Sequence, residues 1–298
     1  MTEWFGLPVE EYQTGAKPGA VIHRLGFSYD DESFTTEVLE AYLALPEAPA
    51  MKAIVLGMPG DAGASFDEAI QALVAGAPRL TALRGIFLGD ILQEENEMSW
   101  IEQGDVGLIL AAFPNLEELR VRGGAHLLLT PCTNAGLKKL VIETGGLPAA
   151  VLQQISASSF PNLEHLEVWL GTDEYGWNGS LDDVMRLLEP GQFPKLKYLG
   201  LRNSEIADEI APAVANDPLL DQLEELDLSG GTLSDAGAEA LIASPRVRKL
   251  AKLNLYRNYL TDATLPRLAA LGPRVDVGGQ EEPDDWDGEP HYYVAVGE

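Results

Sequence analysis

Residues 250–260 read Leu-Ala-Lys-Leu-Asn-Leu-Tyr-Arg-Asn-Tyr-Leu. Leucines stand at the first, fourth, sixth and last positions, and Asn258 stands two residues before the last leucine. In Leu253-Asn254-Leu255 the two leucines point to the same side of an extended chain, because successive side chains of a strand alternate between its faces. The pattern predicts a short strand whose leucines enter the core, followed by a turn at Asn258.

The same frame of leucine, two residues, leucine, one residue and an apolar residue recurs along the chain. Its starts fall at residues 51, 83, 116, 137, 163, 196, 223 and 250, and the versions at 51 and 83 are looser because isoleucine or methionine replaces leucine. Three of the frames belong to near-copies of one stretch, at 113–119, 160–166 and 193–199, and each copy begins Phe-Pro. Eight matches to one spacing predict a repeat protein, in which each unit buries its apolar face against its neighbours.

Helix-forming stretches lie between the predicted strands. Ser65-Phe66-Asp67-Glu68 and Ser180-Leu181-Asp182-Asp183 have the spacing of a capping box, and an amphipathic run follows each of them. Strand–turn–helix units of this kind stack their strands side by side into one parallel sheet. The residues therefore predict an α/β repeat fold before any family is considered.

At these leucines the chain resembles the leucine-rich repeat family, whose pattern is L-x-x-L-x-L-x-x-N-x-L. Residues 250–260 match it completely, whereas Gly231 and Ser204 occupy the asparagine position of the two preceding repeats. The spacing of the late repeats resembles the ribonuclease-inhibitor-like subclass. The resemblance implies an α/β leucine-rich repeat solenoid, a curved horseshoe with a parallel sheet on the concave face and helices on the convex face. It implies a fold and leaves the function open.

Three ranges make up the predicted single structural domain. Residues 51–278 hold about eight repeats. Residues 1–50 are predicted to form an N-terminal cap, since a solenoid needs its exposed core end closed. Residues 279–298 form an acidic C-terminal tail or cap.

Both ends also carry local predictions. Residues 1–20 show no period, residues 21–27 are predicted to be a strand, and residues 34–45 an amphipathic helix. In the C-terminal tail we expect residues 281–289 to be an exposed loop, because like charges repel one another when crowded. Residues 292–296 read as a short strand or packing segment that folds the tail back.

The composition disfavours two classes of partner. The 298-residue chain carries 20 Lys and Arg against 47 Asp and Glu, a formal net charge of −27. So negative a surface repels phosphate backbones and anionic lipids, so we expect neither nucleic acid nor membrane binding. No apolar stretch reaches about 18 residues, and the opening Met1-Thr2-Glu3-Trp4 lacks the basic and apolar regions of a signal peptide. We therefore expect a cytoplasmic protein.

The sequence contains no recognisable catalytic, phosphate-binding or dinucleotide-binding motif, and its four histidines are scattered. The single cysteine, Cys132, has no basic neighbour in the sequence and is expected to be a structural thiol. Asp285-Trp286-Asp287-Gly288 resembles the middle of a calcium loop, but Pro283 takes the first ligand position. We predict no catalytic residue, no cofactor and no metal ion.

The side chains between the leucines face away from the core, on the concave surface with which such proteins commonly bind partners. In the first two frames these residues are small or apolar: Ala53, Val55, Gly57, Gly85, Phe87 and Gly89. An open apolar strip is an aggregation liability. We therefore expect either the N-terminal segment or a partner to cover it.

From residue 118 onward the same positions carry charges and aromatic rings. The predicted partner-binding residues are Arg120, Arg122, Trp169, Tyr198, Arg202 and Tyr256. Trp, Tyr and Arg are enriched at binding hot spots because each combines a large contact area with a polar group. The alternative interpretation is an ordinary sheet surface, which also shows mixed polar and aromatic residues.

Two relations within this set are predicted. Trp169 and Tyr198 are expected to be diagonal neighbours, because they hold the sixth and second outward positions of successive repeats. Arg120 and Arg122 either form an anion site or are neutralised by Glu118 and Glu143. The Gly-rich insertion at 171–179 is either a packed cover or a contact arm.

These observations predict a non-catalytic adaptor or interaction protein that binds a protein partner on the concave face. One alternative is an enzyme or small-ligand binder that uses the carboxylates of that face. Another is a structural or regulatory module that associates with itself. A deep apolar pocket with converging polar groups would favour the enzyme, whereas a broad shallow face would favour the adaptor.

Overall fold

The computed structural model describes residues 1–26, 36–60 and 63–297. The chain divides into two compact units. Unit 1 comprises residues 1–143 and 157–162, and unit 2 comprises residues 144–156 and 163–298. Both units alternate parallel strands with helices, so the protein is α/β, an arrangement compatible with a solenoid.

In unit 1 the strands pair in chain order. They are β1 Glu3–Trp4, β2 Leu7–Glu11, β3 Ile22–Leu25, β4 Ala53–Leu56, β5 Gly85–Leu88, β6 Glu118–Arg122 and β7 Lys139–Glu143. Strands β1 and β2 are antiparallel, and the later pairs of this unit are parallel. Helices follow β3, β4 and β5: α1 Thr36–Leu43, α2 Asp67–Gly76 and α3 Gly107–Ala112.

In unit 2 five strands also pair in chain order and in parallel. They are β8 His165–Gly171, β9 Tyr198–Ser204, β10 Glu225–Asp227, β11 Lys252–Asn254 and β12 Arg274–Asp276. Helix α4 Ala149–Ser156 precedes β8, and the strands alternate with α5 Leu181–Met185, α6 Ala207–Asn216, α7 Asp235–Ala243 and α8 Leu265–Ala269. An antiparallel hairpin, β13 Asp284–Trp286 and β14 Glu289–His291, follows β12.

The predicted strands coincide with the leucine frames, and the leucines enter the core as expected. Leu226 and Leu253 face each other in the register of β10 and β11, and both are fully buried. Leu228 and Leu255 are buried as well. Burial of a leucine side chain contributes about 1.5–3 kcal/mol, so repetition of the frame supplies each unit with a continuous apolar core.

The turn predicted at Asn258 is held by that side chain. Its amide donates to the carbonyl oxygens of Leu228 and Leu255 at 3.0 and 3.1 Å, and its Oδ1 accepts from Leu233 N at 3.2 Å. Asn258 is completely buried. The backbone groups of two successive repeats are thus satisfied by one side chain, as burial of a turn requires.

A row of left-handed residues ends the strands of unit 2. Asn203, Gly230, Arg257 and Gly279 have φ values of 53°, 73°, 52° and 61°. Equivalent backbone hydrogen bonds from Asn203, Gly230 and Arg257 to the following repeat give them corresponding positions. Gly and Asn adopt this conformation at low cost, whereas arginine does so rarely. The common conformation turns the chain away from each strand at the same place.

The two capping predictions have different outcomes. Ser180 forms the predicted capping box with Asp183 at the start of α5. At α2 the capping box is absent: the hydroxyl of Ser65 accepts from Asp67 N at 3.0 Å, and the helix begins only at Asp67. The box fails there because Phe66, and not Ser65, is the residue that precedes the first helical turn.

The N-terminal segment contains more structure than its aperiodic sequence indicated. Residues 3–11 form the hairpin of β1 and β2, and β2 adds a parallel strand beside β3. The predicted strand at 21–27 appears as β3, and the predicted helix at 34–45 appears as α1. Residues 27, 34 and 35 of those predictions lie outside the described residues.

The same hairpin covers the early apolar strip. Trp4 packs in one buried cluster with Ile22, Ala53, Val55 and Phe87. A Cβ atom built on Gly85 would lie 2.3 Å from the ring of Phe5 and 2.9 Å from the ring of Trp4, so the hairpin packs directly on this glycine. Of the two covers considered from the sequence, the N-terminal segment is the one observed.

The C-terminal tail departs from the expected loop. Residues 281–289 are exposed as predicted, but residues 284–291 form the β13–β14 hairpin. Asp287 and Gly288 turn it with φ values of 55° and 85°, as a tight Asp-Gly hairpin turn requires. Residues 292–297 then fold back onto unit 2, as predicted, where Ala295 N donates to the carbonyl oxygen of Gly230 at 2.8 Å.

Candidate functional site

Strands β8 to β11 of unit 2 present a surface of polar and aromatic side chains, which we call the polar face. In register, His165 lies opposite Tyr198, Glu167 opposite Gly200, and Trp169 opposite Arg202. The intervening residues of β8 point into the core, as alternation along a strand requires. The polar face consists of His165, Glu167, Trp169, Tyr198, Arg202, Asp227, Ser229, Asn254 and Tyr256.

Glu167 is one of two carboxylates that organise the hydrogen bonds of the polar face. Its Oε1 accepts from Trp169 Nε1 at 2.8 Å and from Arg202 Nη1 at 2.6 Å, and His165 Nε2 lies 3.3 Å from its Oε2. Only 9% of Glu167 is exposed. Burial by itself raises the pKa of the carboxyl, but the hydrogen bonds from these three residues and the charge of Arg202 outweigh it and lower the pKa to about 2.

Asp227 is the second of these carboxylates. Its Oδ2 accepts from the hydroxyl of Tyr198 at 2.9 Å and from Asn254 Nδ2 at 2.8 Å, and its Oδ1 accepts from Ser229 N at 2.9 Å. Burial raises the pKa of Tyr198, and the negative charges of Asp227 and Glu167 raise it further. Tyr198 is therefore a neutral hydrogen-bond donor at physiological pH.

The aromatic rings are held by stacking as well as by hydrogen bonds. The guanidinium of Arg202 lies 4.5 Å from the centre of the Trp169 ring, within cation–π distance. Tyr198 stacks on His165 with ring centres 3.8 Å apart and planes 3° from parallel. Tyr256 at the far side of the surface is 45% exposed. These contacts fix the side-chain conformations of Arg202, Trp169, Tyr198 and His165.

The predicted relation between Trp169 and Tyr198 is wrong. Trp169 pairs with Arg202 and Tyr198 pairs with His165, so the two predicted neighbours lie two outward positions apart. Glu167 lies between them: Trp169 donates to one of its oxygens, and the Tyr198 hydroxyl lies 3.5 Å from the other. Equivalent positions of the two repeats pair directly, so the sixth position of one lies beside the sixth position of the next and not beside its second.

Sequence reasoning singled out Trp169, Tyr198, Arg202 and Tyr256 but missed the two carboxylates that organise them. Glu167 and Asp227 occupy the central outward position of their repeats. A carboxylate at that position, with Arg or an aromatic residue two places away on the same strand or opposite, is the signal that would have found them. Carboxylates are so abundant in this chain that neither one attracted notice.

The remaining predicted residues, Arg120 and Arg122, belong to unit 1. Arg120 Nε donates to Glu118 at 2.6 Å, and Arg122 Nε donates to Glu143 at 2.8 Å. Arg122 also donates to the carbonyl oxygen of Ile91 at 2.8 Å. Of the two outcomes considered, the structure shows neutralisation by these glutamates.

The free cysteine, Cys132, is partly buried. Burial raises the pKa of the Cys132 thiol, which disfavours the reactive thiolate, as expected of a structural cysteine. Within residues 1–26, 36–60 and 63–297, no group of three or more His, Cys, Asp and Glu side chains is placed to hold a metal ion. Across the same ranges every helix is too short or too polar to cross a membrane.

The chain is similar to proteins of known structure. No family model and no curated protein matches the sequence. The crystal structure of a Bacteroides fragilis protein, determined by the Northeast Structural Genomics Consortium, is similar to this chain with a TM-score of 0.78. The two sequences are 30% identical, and the match covers 92% of this chain and 76% of that chain.

Proposed function

This chain belongs to the same family as the Bacteroides fragilis protein, and from its polar face we propose that it is a non-catalytic interaction protein that binds a protein partner. We further propose that it is a cytoplasmic leucine-rich repeat protein of the ribonuclease-inhibitor-like type. The strand–helix units and the buried asparagine of the turn at Asn258 support that assignment. The partner-binding surface comprises Trp169, Tyr198, Arg202 and Tyr256.

The observation that carries the proposal is the position of Arg202. Its guanidinium lies over the Trp169 ring at 4.5 Å and at the same time pairs with the buried carboxylate of Glu167 at 2.6 Å. A side chain held on two sides loses little rotamer freedom when a partner binds, and that preorganisation raises affinity. Arg and Trp fixed in this way have the character of binding hot spots.

The carboxylates of the polar face favour binding over catalysis. General acid catalysis needs a carboxyl group that is protonated near neutral pH, whereas the low pKa of Glu167 keeps it ionised. Asp227 accepts hydrogen bonds from Tyr198, Asn254 and Ser229. Both carboxylates are occupied in positioning their neighbours, which supports an adaptor more than an enzyme.

The net charge of the chain supports a protein as the partner. A net charge of −27 repels nucleic acid and anionic membranes. Tyr256, almost half exposed, offers a ring with a hydroxyl group, which suits the edge of a protein interface. Arg120 and Arg122 of unit 1 are already paired with glutamates, and we propose that they contribute less than the residues of the polar face.

The test compares partners captured by the wild-type chain and by Tyr256→Ala. Tyr256 is exposed and outside the core, so its loss should leave the fold intact. Proteins captured by each are quantified by mass spectrometry, and affinity for the purified partner is then measured by calorimetry. We expect Tyr256→Ala to weaken binding by about 1–4 kcal/mol, and Trp169→Ala to do the same.

The matched control is Trp100→Ala, which removes an aromatic ring that is 66% exposed in unit 1. It should keep the wild-type affinity. Circular dichroism checks that all three variants are folded. Equal partner sets for the wild type, Tyr256→Ala and Trp169→Ala would show that the polar face is ordinary sheet surface and that the proposal is wrong.

A further inference from the structure

The end of the chain occupies a groove that has no part in the proposed function. We define the tail as residues 292–297 and the groove as Asn203, Gly230 and Tyr259, at the ends of strands β9 to β11. The hydroxyl of Tyr259 accepts from Tyr293 N at 2.8 Å and donates to Tyr293 O at 2.9 Å. Gly230 O accepts from Ala295 N at 2.8 Å.

Asn203 completes the contact with both ends of its amide. Its Oδ1 accepts from Val296 N at 2.9 Å, and its Nδ2 donates to Val296 O at 2.5 Å. Asn203 is itself buried. All five hydrogen bonds go to backbone atoms of alternate or adjacent tail residues. These contacts do not involve the tail's side chains, so another segment that adopts the same backbone conformation can make them.

Two close approaches limit which segments fit. A Cβ atom built on Gly230 would lie 3.2 Å from the Cβ of Ala295, so a larger side chain at the Ala295 position meets the groove floor. A Cβ atom built on Gly297 would lie 2.8 Å from the ring of Tyr175. The groove therefore favours a segment with a small residue at the Ala295 position, and glycine two residues later avoids the Tyr175 ring.

The tail fills this groove incompletely. A cavity of about 230 Å³ remains beside it, lined by Val294, Tyr259 and the side chains of Arg257, Glu281, Glu282 and Asp284. Arg257 is paired with Glu281 at 3.2 Å. A basic side chain at the Val294 position would lie near the carboxylates of Glu282 and Asp284. The valine of the tail supplies no positive charge there.

The tail is held through its backbone, and none of the residues 292–297 is fully buried. It follows the β13–β14 hairpin, whose strands pair with each other and whose residues are exposed. Tyr293 is 51% exposed although its backbone is bound. Few buried side chains and an exposed connection give a segment a low free energy of local opening.

We propose that the groove is a binding site for a segment of another protein that adopts the backbone conformation of the tail, and that the tail occupies the groove in competition. The segment carries a basic residue, then a small residue, and glycine two residues after that. A second copy of this chain is disfavoured as the occupant, because two molecules of charge −27 repel each other. This proposal is independent of the polar face.

The experiment uses the full chain and three synthetic fluorescein-labelled peptides in a fluorescence anisotropy titration. The first has the basic pattern Tyr-Lys-Ala-Val-Gly, the second copies the tail as Tyr-Val-Ala-Val-Gly, and the third, Tyr-Lys-Trp-Val-Gly, carries a side chain too large for the groove. We expect the first to bind about threefold to tenfold more tightly than the second. The third should bind at least tenfold more weakly than the first.

Variants of the chain identify the site. Ala295→Trp should displace the tail, and hydrogen exchange measures this displacement as a loss of protection at residues 293–296. The same variant should bind the first peptide more tightly than the wild type does. Adding Asn203→Gly, which tolerates the left-handed conformation but lacks the amide, should weaken this binding about tenfold. Tyr259→Phe is a milder second groove variant that keeps the ring.

Three kinds of result would overturn the proposal. The first is failure of the first peptide to bind either the wild type or Ala295→Trp. The second is affinity unchanged by both Asn203→Gly and Tyr259→Phe, or a tail that stays protected in Ala295→Trp. The third is a concentration-dependent dimer of the wild-type chain in sedimentation that Ala295→Trp abolishes, since the occupant would then be the tail of a second copy.

Discussion

Glu167 shows how one buried charge organises several neighbours. Its carboxylate is held by Trp169, Arg202 and His165, and each of these side chains is placed by the others. A buried charge is costly unless it is paired and hydrogen-bonded. The low pKa shows that in this case the contacts outweigh burial.

This pKa predicts a pH dependence of stability. The ordinary pKa of 4.5 falls to about 2 in the folded chain, so the ionised group stabilises the fold fully above pH 4.5 and loses that effect as the pH falls towards 2. Between pH 6 and pH 3 the free energy of unfolding of the wild type should fall by about 2 kcal/mol more than that of Glu167→Gln.

Urea unfolding at the two pH values measures this difference. Other carboxylates titrate in both proteins, so their contribution cancels when the two changes are subtracted. Parallel loss of stability in the wild type and in Glu167→Gln would mean that Glu167 is not held as an ion in the folded state.

Among the elements of unit 1, the β1–β2 hairpin covers the apolar residues of β4 and β5. Trp4 is buried against Val55 and Phe87, and its Nε1 donates to Glu118 Oε2 at 2.9 Å. The cluster removes from water an apolar strip that would otherwise be open. A two-stranded hairpin is marginal by itself, so this contact stabilises the hairpin as much as it protects the sheet.

Removal of the Trp4 ring should therefore do two things. Trp4→Ala is expected to lower the free energy of unfolding by about 3–5 kcal/mol, the usual cost for a buried tryptophan, and to raise binding of an apolar dye as the strip becomes accessible. Chemical denaturation and dye fluorescence measure these effects. Trp286→Ala, which removes an exposed tryptophan of the other hairpin, should change stability by less than about 0.5 kcal/mol.

At the scale of the whole molecule, charge is the dominant property. Even if each of the 20 Lys and Arg residues neutralised one carboxylate, 27 of the 47 would have no cation. Repulsion among them destabilises a compact chain. Exposed ion pairs such as Arg267 with Glu239 contribute little against this, because solvent screens them.

Salt should therefore stabilise this protein. Raising the NaCl concentration from about 0.02 to 0.5 M shortens the screening length, and we expect the thermal midpoint at pH 7 to rise by several degrees. KCl at the same ionic strength is the control and should act equally if screening is the cause. A midpoint that falls with either salt would show that attractive ion pairs outweigh the repulsion.

Much of the fold could be predicted because it depends on local period. The strands at 225–227 and 252–254, their buried leucines and the turn at Asn258 follow from spacing within eleven residues. The hairpin turn at Asp287-Gly288 was equally local, since Asp-Gly between extended residues is a strong hairpin signal. It was missed because the surrounding acidic residues favoured a loop.

The α/β class, the residues that enter each core and the polar character of the outward positions follow from local sequence, because the alternation of a strand depends only on neighbouring residues. Three hydrogen bonds depend on the tertiary structure: Trp4 with Glu118, Asn203 with Val296, and Arg202 with Glu167. The partners in these contacts are 114, 93 and 35 residues apart. Their meeting depends on how the strands are registered and where the ends of the chain return, and no local period carries that information.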